Sequence, residues 1–141
     1  MKTKHILFFL LILGIAAAGQ SVWARGGNET ETVSQSAAAD GPYQDYSKEA
    51  FQNAADKKRV LFFHASWCPN CKNADTEITA SLDAVPDDVV IFKTDYDSED
   101  ALKKKYGITS QHTFVYVDSE GNAIDKWSGG STLQILEKVD G

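Results

Sequence analysis

Two cysteines occur in the 141 residues, Cys68 and Cys71, with only Pro69 and Asn70 between them. Thiols at that spacing could close a permanent disulfide or supply half of a four-ligand zinc site. They could also react as a pair, one thiolate attacking a disulfide and its companion displacing what has been captured. A bridge enclosing two residues constrains little of the unfolded chain. Zinc needs four ligands, and within the expected folded part the chain offers the two sulfurs plus scattered His64 and His112.

The elements around the pair favour the reactive reading. Val60-Leu61-Phe62-Phe63 is an uninterrupted apolar run, suited to a strand buried on both faces, and it leads straight into Cys68. A helix over about Asn70–Leu82 follows, so Cys68 falls at a helix N-terminus, where unpaired N–H groups and the helix dipole favour negative charge. Such placement lowers a cysteine pKa from about 8.5 into the range of roughly 3.5 to 7.5. Cys71 lies one turn deeper on the same face, and Pro69 suits the first turn, where no N–H partner is needed. The expectation is an exposed attacking thiol at Cys68 and a shielded resolving thiol at Cys71.

Beyond that segment, Ser47 can cap a helix of about three turns with Ala50, Phe51, Ala54 and Ala55 on its apolar face. A strand is expected over Val89–Thr94 and a helix over about Ser98–Tyr106, stopped by Gly107. Thr113–Val117 and Ala123–Trp127, separated by Asp118-Ser119-Glu120-Gly121-Asn122, read as an antiparallel hairpin. Thr132–Val139 reads as a last helix with Leu133, Ile135, Leu136 and Val139 apolar. Tyr43, Tyr46 and Phe51 are expected to pack the first helix onto the sheet. Asp95, Asp97, Glu99 and Asp100 lack the glycine a calcium loop needs and are expected to form a solvated acidic loop with a helix cap.

The front of the chain has the three parts of an export signal: Lys2 and Lys4, an apolar run from Ile6 to Ala18, and small residues up to Val22-Trp23-Ala24. The run falls short of the roughly 20 apolar residues a spanning helix needs. Residues 1–24 are expected to be a cleaved signal peptide, 25–42 a disordered leader and 43–141 the folded domain. Secretion or a periplasmic location follows, with membrane association only if the first segment stays uncleaved, and the folded part is expected to be a monomer. The formal charge of −6 leaves no basic patch for a nucleic-acid backbone, and export places the thiols where disulfides persist.

The order helix, strand, Trp-Cys-x-x-Cys, helix, strand, helix, hairpin, helix resembles the thioredoxin fold over about residues 45 to 140. Ala65-Ser66-Trp67-Cys68-Pro69-Asn70-Cys71 is similar to that family's active-site segment. The resemblance implies a three-layer α/β/α domain around a four- to five-stranded mixed sheet. It also implies a thiol:disulfide oxidoreductase without a cofactor, acting on protein thiols and disulfides and served by an unidentified redox partner. Cys68 would be the nucleophile, Cys71 the resolving thiol and Trp67 a flanking surface for substrate, with Pro69, Asn70, Gln111, His112 and Thr113 around the groove.

Two departures from the family pattern bear on chemistry. Its cis-proline is replaced by His112, and because a cis bond before a non-proline residue costs about 2.5 to 4 kcal/mol, an ordinary trans Gln111-His112 bond is expected. The family's buried acid falls at Phe62, so the carboxylate that manages the resolving thiol's proton is missing, and Lys93, its usual companion, is expected to turn outward. His112 would then either tune Cys68 as an imidazolium, complete a Cu(I) site with Cys68 and Cys71 in a binding protein without turnover, or simply stand at a strand entrance in contact with water. His64 reads as a packing residue.

Overall fold

The structure, a computed structural model, describes residues 41–141. The expected signal peptide and all but the last two residues of the expected leader lie outside that range. The described chain runs β1 (Tyr43–Asp45), α1 (Lys48–Asn53), β2 (Lys58–His64), α2 (Pro69–Ala80), a 3-10 turn (Leu82–Ala84), β3 (Val89–Asp95), α3 (Asp100–Tyr106), β4 (Thr113–Val117), β5 (Ala123–Ser128) and α4 (Thr132–Asp140).

The strands form one five-stranded sheet in the order β1-β3-β2-β4-β5. β3 pairs in parallel with β1 and β2, and β4 pairs antiparallel with β2 and β5. β2 therefore lies at the centre, with Val60, Leu61, Phe62 and Phe63 all at 0% exposure. Alternation divides this run between two cores. Val60 and Phe62 face Cys71, Ala74 and Ile78 of α2 and Ile135 and Val139 of α4. Leu61 and Phe63 face Ala54 behind α1 and Tyr106 of α3. The result is the expected mixed sheet between two helical layers.

In register across β2, β4 and β5, Phe62, Phe114 and Trp127 form a rib of stacked rings on the α2 side, with centroids 4.4 and 5.7 Å apart. Each fully buried ring contributes on the order of 2–3 kcal/mol of apolar transfer. This rib is the floor beneath the cysteine turn.

Some elements differ from expectation. β1 carries no hydrophobic period over its three residues and is held by parallel pairing to β3, with Tyr43 opposite Ile91. Ser47 does cap α1, accepting the Ala50 N–H at 3.0 Å, but α1 spans only six residues because the chain turns after Asn53 to bring Lys58 into register with Val89. α3 ends at Gly107 in the left-handed conformation, φ 61°, as expected, yet its N-cap, Glu99, makes no side-chain cap. In α4, Ile135 and Val139 are buried but Leu133 is exposed.

Candidate active site

β2 ends at His64, and a short turn through Trp67 delivers Cys68 to the N-cap of α2. The Cys68 backbone is extended, φ −85° and ψ 116°, and its Sγ accepts the Cys71 N–H at 3.2 Å. Pro69 takes the first helical turn without an unpaired donor. The reacting sulfur is thus itself the helix cap. The two thiols are free and are not bonded to each other.

Cys71 has no exposed surface, as a resolving thiol should; Cys68 exposes only 4% of its own, against the expectation of an open thiol. The reason lies in the cap, since a sulfur turned back onto its own helix is covered by the turn it closes. That cover is local, because Trp67, Pro69 and Asn70 are all exposed. Burial pushes the Cys68 thiol up, but the Cys71 thiol, the Cys71 and Asn70 N–H groups and the Gln111 amide outweigh it, and the net shift is downward. Cys71 is pushed up to about 11, chiefly by burial, opposed by the Ala65 backbone and reinforced by Cys68. One helical turn therefore polarises the pair into a thiolate-forming first sulfur and a protonated second.

Trp67, 57% exposed, stands at the rim. Its Nε1 donates to Asp97 Oδ2 at 2.9 Å, and Asp97 is fixed in turn by its N–H to Asp95 Oδ1 at 3.0 Å. The acidic loop after β3 thus orients the indole.

On the other side of the turn lies the segment before β4. Every peptide bond among the described residues is trans, and His112 adopts φ 60°, the left-handed region that a non-glycine residue seldom occupies. Its N–H donates to Phe63 O at 2.8 Å and its carbonyl accepts the Gly129 N–H at 2.9 Å, so both backbone groups are committed to the sheet. Thr113 Oγ1 donates to Ser110 O at 2.9 Å. A hollow of about 150 Å³ beside the turn is lined by Asn70, Asn73, Ala74, Glu77, His112 and Gly130. A larger hollow of about 570 Å³, touching Gly41, Lys57 and Val89, lies at the far end of β2 and β3 and touches none of these groups.

His112 is not the imidazolium that tuning would need. Its ring packs edge-on against Phe62 and Phe114, its Nε2 is buried without a partner, and burial first, then His64, pushes its pKa below the usual range. What it offers the cysteines is backbone: its main chain helps hold the Cys71 thiol's pKa down, against burial. The copper alternative is not supported: among the described residues no group of three or more His, Cys, Asp or Glu side chains could hold a metal ion. His64 packs edge-on against Phe62 at 5.5 Å, as a packing residue would.

The outward lysine is corrected by the tertiary structure, whereas Phe62, fully buried on β2, does occupy the acid's place. Lys93 on β3 lies 3.5 Å from Asp75 Oδ1 on α2 and 3.6 Å from Asp45 Oδ1 on β1, with its side chain only 34% exposed. Tyr43 on β1 donates to the same Asp75 oxygen at 2.5 Å. Burial, then Asp75, drives the Tyr43 hydroxyl pKa upward. Asp75 on α2 thus ties β1 and β3 to the helix through Tyr43 and Lys93. The four-residue spacing from Cys71 to Asp75 was the available signal; the strands it meets were not visible from it.

The thioredoxin family model matches residues 43–140. The chain belongs to the thioredoxin family. It is 34% identical over 87 residues to thioredoxin H5 of Arabidopsis thaliana, covering 62% of this chain and 72% of that protein. It is also 32% identical over 83 residues to protein disulfide-isomerase erp38 of Neurospora crassa, where the match covers 57% of this chain and 22% of that longer protein. The crystal structure of Trxlp from Edwardsiella tarda EIB202 superimposes with a TM-score of 0.56 at 26% identity, over 68% of this chain and 95% of that one. This thioredoxin-family protein is accordingly a thiol:disulfide oxidoreductase, of a family that works through a redox-active disulfide and not through a bound cofactor.

Proposed function

We propose that the protein exchanges disulfides with other proteins through Cys68 and Cys71, in an exported setting. The Cys68 thiolate attacks one sulfur of a substrate disulfide, the S–S bond breaks, and the departing sulfur leaves as a thiolate that takes a proton from water. The Cys71 thiol then loses its proton and attacks Cys68 Sγ, releasing the second substrate sulfur and closing a Cys68–Cys71 disulfide. The substrate gains two electrons and the pair loses them. Run backwards, the oxidised pair delivers a disulfide. To reach a substrate, Cys68 swings out of the cap it makes, past exposed Trp67, Pro69 and Asn70. Gln111, His112 and Thr113 form the opposite wall.

The observation that carries this reading is the asymmetry of the pair: Cys68 is eased toward its thiolate at the helix terminus while Cys71 is held protonated without exposed surface. The export setting is supported by Lys2, Lys4 and the apolar run from Ile6 to Ala18. A protein–disulfide reduction assay tests the roles. Cys68→Ser should abolish turnover and form no mixed disulfide, whereas Cys71→Ser should accumulate a mixed disulfide at Cys68. Turnover in Cys68→Ser comparable to wild type would reject the assignment.

A further inference from the structure

Resolution of the mixed disulfide needs a base. Cys71 carries a proton it must lose before its sulfur can attack Cys68, and it sits in a core whose β2 contribution, Val60 and Phe62, is apolar. The polar groups on this side come from three other places in the chain. Asp75 lies on α2 four residues after Cys71, hence on the same helix face. Tyr43, packed against the core cluster that contains Cys71, donates to Asp75 Oδ1, and Lys93 approaches the same oxygen. Among the described residues Oδ2 takes no hydrogen bond, so one oxygen is anchored and the other is free to accept.

We propose that Asp75 is the proton acceptor for Cys71 in the resolving step, with Tyr43 and Lys93 as the positioning residues that hold its carboxylate. This rests on the Cys68/Cys71 exchange reading above. In the step, the Cys71 S–H proton passes to Asp75, and the sulfur so freed forms a bond to Cys68 Sγ. The bond from Cys68 to the substrate sulfur breaks, and its electron pair leaves on that sulfur. Asp75 returns the proton to solvent, which its partly exposed side chain, at 31%, can reach. The charged and titratable groups facing the site are Tyr43 and Asp45 from β1, His64 from β2, Lys93 and Asp95 from β3 and Lys72 from α2. Asp45, whose side chain is 85% exposed, pairs with Lys93 at 3.6 Å.

The test uses a symmetrical aromatic disulfide, 5,5′-dithiobis(2-nitrobenzoate), under stopped flow with the reduced protein. Attack by Cys68 releases one coloured thiolate, and attack by Cys71 on the mixed disulfide releases the second, so the two steps are read separately. In Asp75→Asn, an isosteric change at a partly exposed position, the first phase should stay within about twofold of wild type. The second phase should slow by about tenfold or more at neutral pH and lose its dependence on a carboxylate in its pH profile, in keeping with the size of general-base contributions. Asp75→Glu should recover most of the second phase. A second phase unchanged in Asp75→Asn, or faster, or equally slow in Asp75→Asn and Asp75→Glu, overturns the proposal. Absence of the first phase in the wild-type protein would instead reject the exchange reading on which it rests.

Discussion

His112 shows how a left-handed residue can tie a strand entrance into the sheet. At φ 60° its main chain still spans from Phe63 O to the Gly129 N–H, tying the approach to β4 to the end of β2 and to the loop after β5. A left-handed non-glycine residue costs roughly 1–2 kcal/mol, and here the two hydrogen bonds and the ring packing on Phe62 and Phe114 offset that strain. A proline at this position should therefore harm the protein. His112→Pro imposes φ near −65° and deletes the N–H that Phe63 O receives, so a loss of about 3 kcal/mol or more is expected in urea unfolding. His112→Asn, which tolerates the left-handed region, should stay within about 1.5 kcal/mol of wild type. A proline variant as stable as wild type would show that the local backbone is free to rearrange.

At the scale of elements, one clamp positions the site and another holds the opposite layer. The first is α2, whose N-terminal cap is the reacting sulfur, so chemistry at Cys68 and order in the first turn are coupled; an N-cap is worth about 0.5–2 kcal/mol. The second is Arg59 on β2, only 2% exposed. Its guanidinium donates to Phe51 O at 2.9 Å, to Ser119 O at 2.8 Å and to Asp118 O, and lies 4.2 Å from the centre of the Phe51 ring. One side chain thus joins the end of α1 to the β4–β5 turn on the layer away from the cysteines. Arg59→Met keeps the volume but leaves those carbonyls without their donor, and should lower stability by on the order of 2–4 kcal/mol in chemical denaturation. Disulfide exchange measured well below the unfolding midpoint should be unaffected, since Arg59 lies on the opposite face of the sheet from Cys71.

For the whole molecule, the two described histidines give a pH dependence of one sign. His64 and His112 both have pKa values pushed down, in each case chiefly by burial. In the unfolded chain each takes up a proton near the ordinary value of about 6.5, whereas in the folded protein uptake is delayed to lower pH. Between those values the unfolded state binds more protons, so stability is complete above about pH 6.5 and falls as pH drops through the window below it. Thermal unfolding should show a melting temperature that declines from pH 7.5 to 5.5, and the double variant His64→Phe, His112→Asn should flatten that decline. An equal slope in the double variant would assign the effect to other groups.

Sequence alone determined the parts that local physics governs. Four consecutive apolar residues running into the cysteine turn suit a strand covered on both faces, so β2 and the layered architecture were legible. The Cys-Pro-Asn-Cys spacing, read with the helix that follows, was enough to put one thiol at a helix terminus and the other a turn deeper. Gly107 and the hairpin turn were readable because each needs only its own backbone preference. Only the tertiary structure decided which distant residues meet. β1 exists through its pairing with β3, and its arrival brings Tyr43 and Asp45 beside Lys93 and Asp75, a set drawn from three elements that no local period connects. The cover over Cys68 and the left-handed turn at His112 were likewise hidden, because side-chain rotation and the register of β4 against β2 are fixed by packing between elements and not by the order of residues within them.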